Sequence, residues 1–189
     1  MNYNAQKIIQ SELDSGETLI WAGIPKQGIV FRASDVFMIP FSLLWGGFAI
    51  VWEVMAITIP SKAGVVDILF PLFGIPFVVM GLHMIFGRFI LDSKKRLKTF
   101  YGLTDQRAII VSGLFSKGVK SLNLRSLSDV SLSEKADKSG NITFGQESAH
   151  SSFFGANSFP GMNGSSTPKF ELIENAKSVY NQLRAQQRS

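Results

Sequence analysis

The chain contains no cysteine. Disulfide scaffolds, thiolate nucleophiles and cysteine-ligated zinc or iron–sulfur centres are therefore excluded. Histidine is almost as scarce, with His83 and His150 the two present. A haem or metal role for His83 would need further ligands, and the other histidine lies far along the chain. Phosphate-binding loops, histidine–carboxylate metal pairs, nucleophile elbows and dinucleotide fingerprints are also missing. The glycine cluster Gly155–Gly164 lacks the strand-to-helix setting and the lysine that phosphate cradling needs. Glu171 and Glu174 fall on a predicted terminal helix, where a solvated face accounts for them. These absences predict a chain with no catalytic residues, no metal and no cofactor, and not an enzyme.

Charge is missing from one long stretch. Between Val36 and Phe89 the charged residues are Glu53, Lys62, Asp67 and Arg88. The whole-chain figures, 46% hydrophobic and 17% charged over 189 residues with a mean hydropathy of +0.18, average over two unlike regimes. The 16 phenylalanines exclude a wholly disordered chain, which would lack aromatics.

Val36–Ile59 holds 24 residues with Glu53 as their one charge. At 1.5 Å per residue it spans about 36 Å, enough to cross a hydrocarbon core of about 30 Å with some tilt. After the polar break Pro60–Gly64, Ile68–Gly87 gives 20 uncharged residues, again one bilayer's worth. Buried core helices would be shorter and would show a polar face, so two transmembrane helices are predicted, over 36–59 and 68–89. The first 35 residues are polar and mixed in charge, which speaks against a cleaved signal peptide.

Orientation follows from lysine and arginine. The connecting segment carries Lys62 alone, whereas Arg88, Lys94, Lys95, Arg96 and Lys98 follow the second helix, and Lys7, Lys26 and Arg32 precede the first. The expectation is a multi-pass protein of the bacterial inner (cytoplasmic) membrane with both termini cytoplasmic. Its parts are a cytoplasmic segment 1–35, helix 36–59, external loop 60–67, helix 68–89 and a cytoplasmic domain 90–189. Glu53 near the outer helix end reads either as a functional intramembrane acid or as a group reaching headgroup water. Pro71, Gly74, Pro76 and Gly81 suggest a kinked second helix, with Gly46-Gly47 a matching place for close approach.

Beyond about Ser93 the periodicity changes. Leu97–Leu103, Ala108–Val111, Val119–Leu124, Asp129–Ser133 and Asn141–Phe144 read as short strands separated by turn residues. Leu172, Ile173, Ala176, Val179, Tyr180 and Leu183 then recur at helical spacing within Phe170–Arg188. The class is α+β. Tyr101 and Leu103 alternate with Gly102 and Thr104, so one face enters the core and the other faces out. Asp105 favours the following turn through nearby backbone amides.

The run Thr99-Phe-Tyr-Gly-Leu-Thr-Asp-Gln-Arg-Ala-Ile-Ile resembles the Tyr-x-Leu-Thr-(Asn/Asp)-x-Arg hairpin of bacterial pleckstrin-homology-like (PH-like) domains. Ser121-Leu-Asn-Leu, Gly140-Asn-Ile-Thr-Phe-Gly and the closing Phe170-x-x-Ile-x-x-Ala-x-x-Val-Tyr segment fit the same family. Gly16-Glu-Thr-Leu-Ile-Trp-Ala-Gly-Ile-Pro is similar to the entry motif of its membrane-anchored members. Order and spacing, more than any single motif, carry the likeness. It implies a transmembrane hairpin followed by a bent antiparallel barrel of about seven strands capped by a C-terminal helix. A strand pair is implied where Ser148–Ser166 is rich in Gly, Ser and Asn.

Two candidate surfaces emerge. The first is basic. From Arg88 to Arg125 nine cations face Asp92 and Asp105, net +7, and Arg88, Lys94, Lys95, Arg96, Lys98 and Arg107 are candidates for a lipid-headgroup or partner surface. Topology and solubility alone are the competing account, and Arg107 also reads as a structural bond to the turn or a strand end. No recognised nucleic-acid motif accompanies the charge. The second surface is Phe153, Phe154, Phe159 and Met162 within Ser148–Ser166, reading either as a loop for membrane or partner or as strand residues filling the barrel. The functional expectation is a non-enzymatic membrane protein whose PH-like domain serves protein interaction, oligomerisation or headgroup binding. Its expected partners are the lipid bilayer, an unknown protein and, as a homo-oligomer, another copy of itself. The alternative is a small oligomeric channel or transporter subunit, with Glu53 lining the path.

Overall fold

A computed structural model describes residues 2–32, 34–58, 64–114, 116–146 and 167–188. The described residues of 1–30 and 93–189 form one compact unit, and those of 31–92 form another. The 1–35 segment set apart by the sequence reading thus belongs, almost to its end, with the domain that follows the helices.

The 31–92 unit is a pair of helices, α2 (Asp35–Thr58) and α3 (Val66–Leu82). Both are long and apolar enough to span a membrane. Neither proline in α3 ends the helix; it passes through a π-helical turn at His83–Gly87 and continues as α4 (Arg88–Leu97). The buried positions of α2 are Asp35, Met38, Ser42, Gly46 and Ala49, a mostly small-residue stripe at three-and-four spacing. Glycine is required where the backbones approach most closely. A Cβ on Gly81 would lie 2.8 Å from Gly46 Cα, whereas Gly47 faces open space. Phe37, Leu44, Phe48 and Ile57 of α2 and Ile68, Leu72, Phe73 and Val79 of α3 point outward, leaving the outside of the pair apolar.

In the other unit, α1 (Tyr3–Gln10) starts at Asn2, whose side chain accepts from the amides of Asn4 at 3.1 Å and Ala5 at 3.2 Å. Next come β1 (Leu19–Gly23) and, after the helices, β2 (Phe100–Thr104), β3 (Arg107–Ser112) and β4 (Gly118–Asn123). They form an antiparallel sheet in chain order. A 3-10 turn at Leu124–Ser126 leads to β5 (Val130–Glu134), β6 (Gly140–Phe144) and β7 (Lys169–Ile173), a second antiparallel sheet, and α5 (Ala176–Gln186) closes the chain.

The two sheets face one core. Tyr101, Leu103 and Ile110 from the first meet Ile142, Phe144 and Phe170 from the second, with Ala176, Val179 and Leu183 of α5 packed among them. Phe170 is central, its ring centroid 4.9 Å from those of Tyr101 and Phe144 and 5.8 Å from that of Trp21. The PH-like resemblance implied a closed barrel; among the described residues the two sheets are not joined into a single hydrogen-bonded barrel. At one corner the Lys26 amide donates to Leu172 O at 2.9 Å. At another, Gln187 Nε2 at the end of α5 donates to Leu124 O at 3.0 Å and Leu127 O at 3.1 Å, where the 3-10 turn has ended β4.

Three local expectations change. Leu97 ends a helix, and the strand starts at Phe100, because Thr99 closes that helix by donating its hydroxyl to Lys95 O at 2.8 Å. Phe170–Ile173 is a strand. Its apolar residues suit either periodicity, and a bulge with Leu172 at φ 53° shifts the register. Finally, the second face of β2 is not solvated, because Ala5 and Ile9 of α1 cover it together with Ala22, Ile109 and Val111. A Cβ on Gly102 would collide with Ile9. The strand pair and the residues Phe153, Phe154, Phe159 and Met162 expected within 148–166 lie outside the described residues.

Candidate functional site

The basic residues singled out in sequence do not form one patch. Arg107, at the start of β3, is committed to internal bonds. Its Nε donates to Glu17 Oε1 and its NH2 to Glu17 Oε2, both at 2.8 Å, a bidentate fork. The same NH2 also lies 3.0 Å from Glu12 O and 2.9 Å from Asp14 Oδ2, and NH1 donates to Ser121 Oγ at 3.1 Å. The Thr104 hydroxyl lies 2.6 Å from Glu17 Oε1 and accepts from the Arg107 amide at 2.9 Å. The Arg107 guanidinium, helped by Thr104 and the Asp14 amide, holds the Glu17 carboxyl down at about 2 against the opposing effect of burial. Arg107 is pushed up in turn, chiefly by its bonds to Glu17. Asp105 also departs from expectation: its Oδ1 accepts from the Thr18 amide at 3.0 Å, so it holds the entry to β1.

Arg107 is therefore a clamp between the amino-terminal segment and the β3–β4 pair. Glu17, Asp14 and Glu12 escaped the sequence reading because they lie some 90 residues away in the chain.

Arg88 is also enclosed. Its NH1 meets Asp35 Oδ1 at 2.9 Å with side chains 11% and 10% exposed, and its guanidinium lies over the Phe89 ring at 4.5 Å. Arg32 and Asp92 make a second pair at 3.0 Å, so the chain entering α2 and the first turns of α4 are tied by two ion pairs of crossed polarity. Arg96 is buried and donates to Gly28 O. Lys94, Lys95 and Lys98 remain exposed on α4 and just beyond it, with Lys98 Nζ 3.1 Å from Leu114 O. The candidate headgroup surface thus reduces to three lysines.

Within the helix pair, the Glu53 carboxylate lies against Gly74 of α3, where any side chain on Gly74 would collide with it and with Trp52. Its Oε2 is buried with no hydrogen-bond partner among the described residues, while the residue as a whole is half-buried. Among the described residues no group of three or more His, Asp or Glu side chains is placed to hold a metal ion. In comparisons with protein-family models, curated proteins and solved structures, nothing matches this chain.

Proposed function

We propose that this chain is a non-enzymatic protein of the bacterial cytoplasmic membrane. Its helix pair crosses the bilayer with both ends on the cytoplasmic side, and a PH-like domain there presents a binding surface to a partner protein, to anionic headgroups or to a second copy. The observation that carries the topology is a strand pairing. β1 precedes the helices and β2 follows them, yet the two pair from Leu19↔Thr104 to Gly23↔Tyr101. Whatever lies between must begin and end on one side of any membrane it crosses, and two spans meet that condition. The lysine and arginine flanks assign that side to the cytoplasm. Among the described residues there are seven strands, one before the helix pair and six after it, and a closing helix; this number and order of elements support the PH-like reading. Lys94, Lys95 and Lys98 supply the attraction to anionic lipid, at about 1 kcal/mol per basic residue near a surface. The channel alternative gains no support from Glu53, whose carboxylate turns to its own hairpin.

The absence of cysteine makes the test clean, because one introduced thiol is unique. Ser15→Cys, Lys62→Cys and Ser133→Cys variants would be treated with an impermeant maleimide on intact cells. Labelling of Lys62→Cys alone is expected. External labelling of either serine position would overturn the orientation, and release of the protein by alkaline carbonate would overturn membrane insertion.

A further inference from the structure

We propose that the end of α5 and the 3-10 turn after β4 form a binding site for a phosphate-bearing anion, held by Arg125, Arg184 and Arg188. These three arginines line one shallow concavity of about 270 Å³, together with Leu124, Leu127 and Gln187. An adjoining concavity of about 410 Å³ along the helix shares Arg184 and Arg188. Among the described residues no acidic side chain lines either one, and α5 itself contains none.

Arg184 lies in the last turn of α5 and Arg188 two residues beyond its end, and both line the depression. Cations near a helix C-terminus favour its dipole, which accounts for these two on their own. It does not account for Arg125, which comes from a different element and brings a third positive charge to the same depression. Three like charges around an acid-free concavity repel one another, and an anion among them relieves that repulsion.

The frame is also fixed in advance. Gln187 Nε2 ties α5 to the 3-10 turn through Leu124 O and Leu127 O, its Oε1 accepts from Arg184 NH1 at 2.9 Å, and the Arg184 guanidinium lies 5.8 Å from the Tyr180 ring centroid. Preorganisation of this kind lowers the ordering cost of binding.

The choice of ligand follows from the donors. All three cations are arginines, whose planar forks match the oxygens of phosphate and carboxylate; lysine would serve as a point charge. A carboxylate has two oxygens, which one guanidinium can satisfy in a bidentate pair. Three guanidinium groups suit the larger oxygen set and charge of a phosphate. The first concavity is smaller than the roughly 300–1,000 Å³ of sites that enclose drug-sized ligands, so it takes a phosphate group with the rest of the molecule outside. None of the three arginines lies on α4, and the site does not depend on the PH-like reading.

The test uses the full-length protein in phosphatidylcholine nanodiscs, with inorganic pyrophosphate as the probe in titration calorimetry. Saturable one-to-one binding is expected. Arg125→Gln and the double variant Arg184→Gln/Arg188→Gln should each weaken it at least tenfold, with unfolding temperatures held near wild type. Lys94→Gln/Lys95→Gln should leave it unchanged. A second arm places phosphatidic acid in the nanodisc: loss of pyrophosphate binding there supports the site with a lipid headgroup as its natural source, and unchanged binding supports it with a soluble one. No saturable binding, equal binding by the arginine variants, or saturable binding of a poly-glutamate peptide but not of pyrophosphate would each overturn the proposal.

Discussion

Phe170 lies wholly buried among three other rings, whereas Phe48 on α2 is 69% exposed, although both sit in regular elements of one chain. Polar groups show the reverse. In the helix pair Asp35 and Arg88 are turned inward and paired, while in the α+β unit most charged side chains face out. Burial in the two units is decided by different solvents on the reading proposed above. Water drives apolar rings together, whereas hydrocarbon accepts them and confines charge to the interior or the ends of the pair. One residue type therefore has two energetic meanings here.

Equal truncations in the two units break this comparison most directly. Phe170→Ala is expected to destabilise the α+β unit by about 3–5 kcal/mol, read from Trp21 fluorescence in a Trp45→Phe/Trp52→Phe background. Phe48→Ala should leave that unfolding curve in place; a shift of similar size would mean that Phe48 packs against protein and not lipid.

The Glu17–Arg107 fork provides the next largest effect and a signature in pH. Removing one partner of a fully buried pair costs about 3–5 kcal/mol; this pair is part-buried, so Arg107→Ala should lower stability by less, about 2–3 kcal/mol. Glu17 sits at about 2 in the folded unit, below the ordinary value of about 4.3. A depressed carboxyl stabilises fully above the unfolded value and loses that contribution as pH falls through the folded one. Between about pH 5 and 2 the α+β unit should weaken more steeply in wild type than in Glu17→Gln. Parallel pH curves would assign the acid sensitivity elsewhere, with Asp137, held at about 2 mainly by Ser139, the next carboxylate to examine.

Smaller still is Gly102→Ala, which would push a methyl group into Ile9 and cost about 1–3 kcal/mol as overpacking. An unchanged midpoint would mean that α1 yields without loss. The smallest change is a gain: Lys138 has φ 62°, so Lys138→Gly relieves about 1–2 kcal/mol of left-handed strain against about 0.5–1 kcal/mol of added backbone entropy, a net stabilisation of about 0.5–1 kcal/mol. A loss there would mean that the Lys138 side chain stabilises the β5–β6 turn by more than its backbone strain costs.

Local chemistry made much of the fold legible. Ala108–Val111 and Asn141–Phe144 are strands within one residue at each end, and Val36–Ile59 falls one residue from α2 at both ends. In each, period and boundary residues agree. The apolar residues around Phe170 fit both strand and helix spacing, so only the partner β6 decides. The amino-terminal segment offered a signal that passed unread, since Ala5, Ile8 and Ile9 recur at helical spacing on the face that covers β2 and β3. The pairs Glu17–Arg107 and Asp35–Arg88 carry no local signal at all. Six basic candidates were legible as charge, but which of them are spent internally depends on carboxylates far along the chain.

The pairing of β1 with β2 also imposes an order on synthesis. Residues 24–99, both helices included, must leave the ribosome before Trp21 can meet Leu103. At about 5–20 residues per second that is a wait of roughly 4–15 s. Until then α1 and β1 have no sheet to join, and both long apolar helices are made first. On the membrane reading proposed above, integration is in this way a folding step for the domain, since it precedes the return of the chain to its first strand.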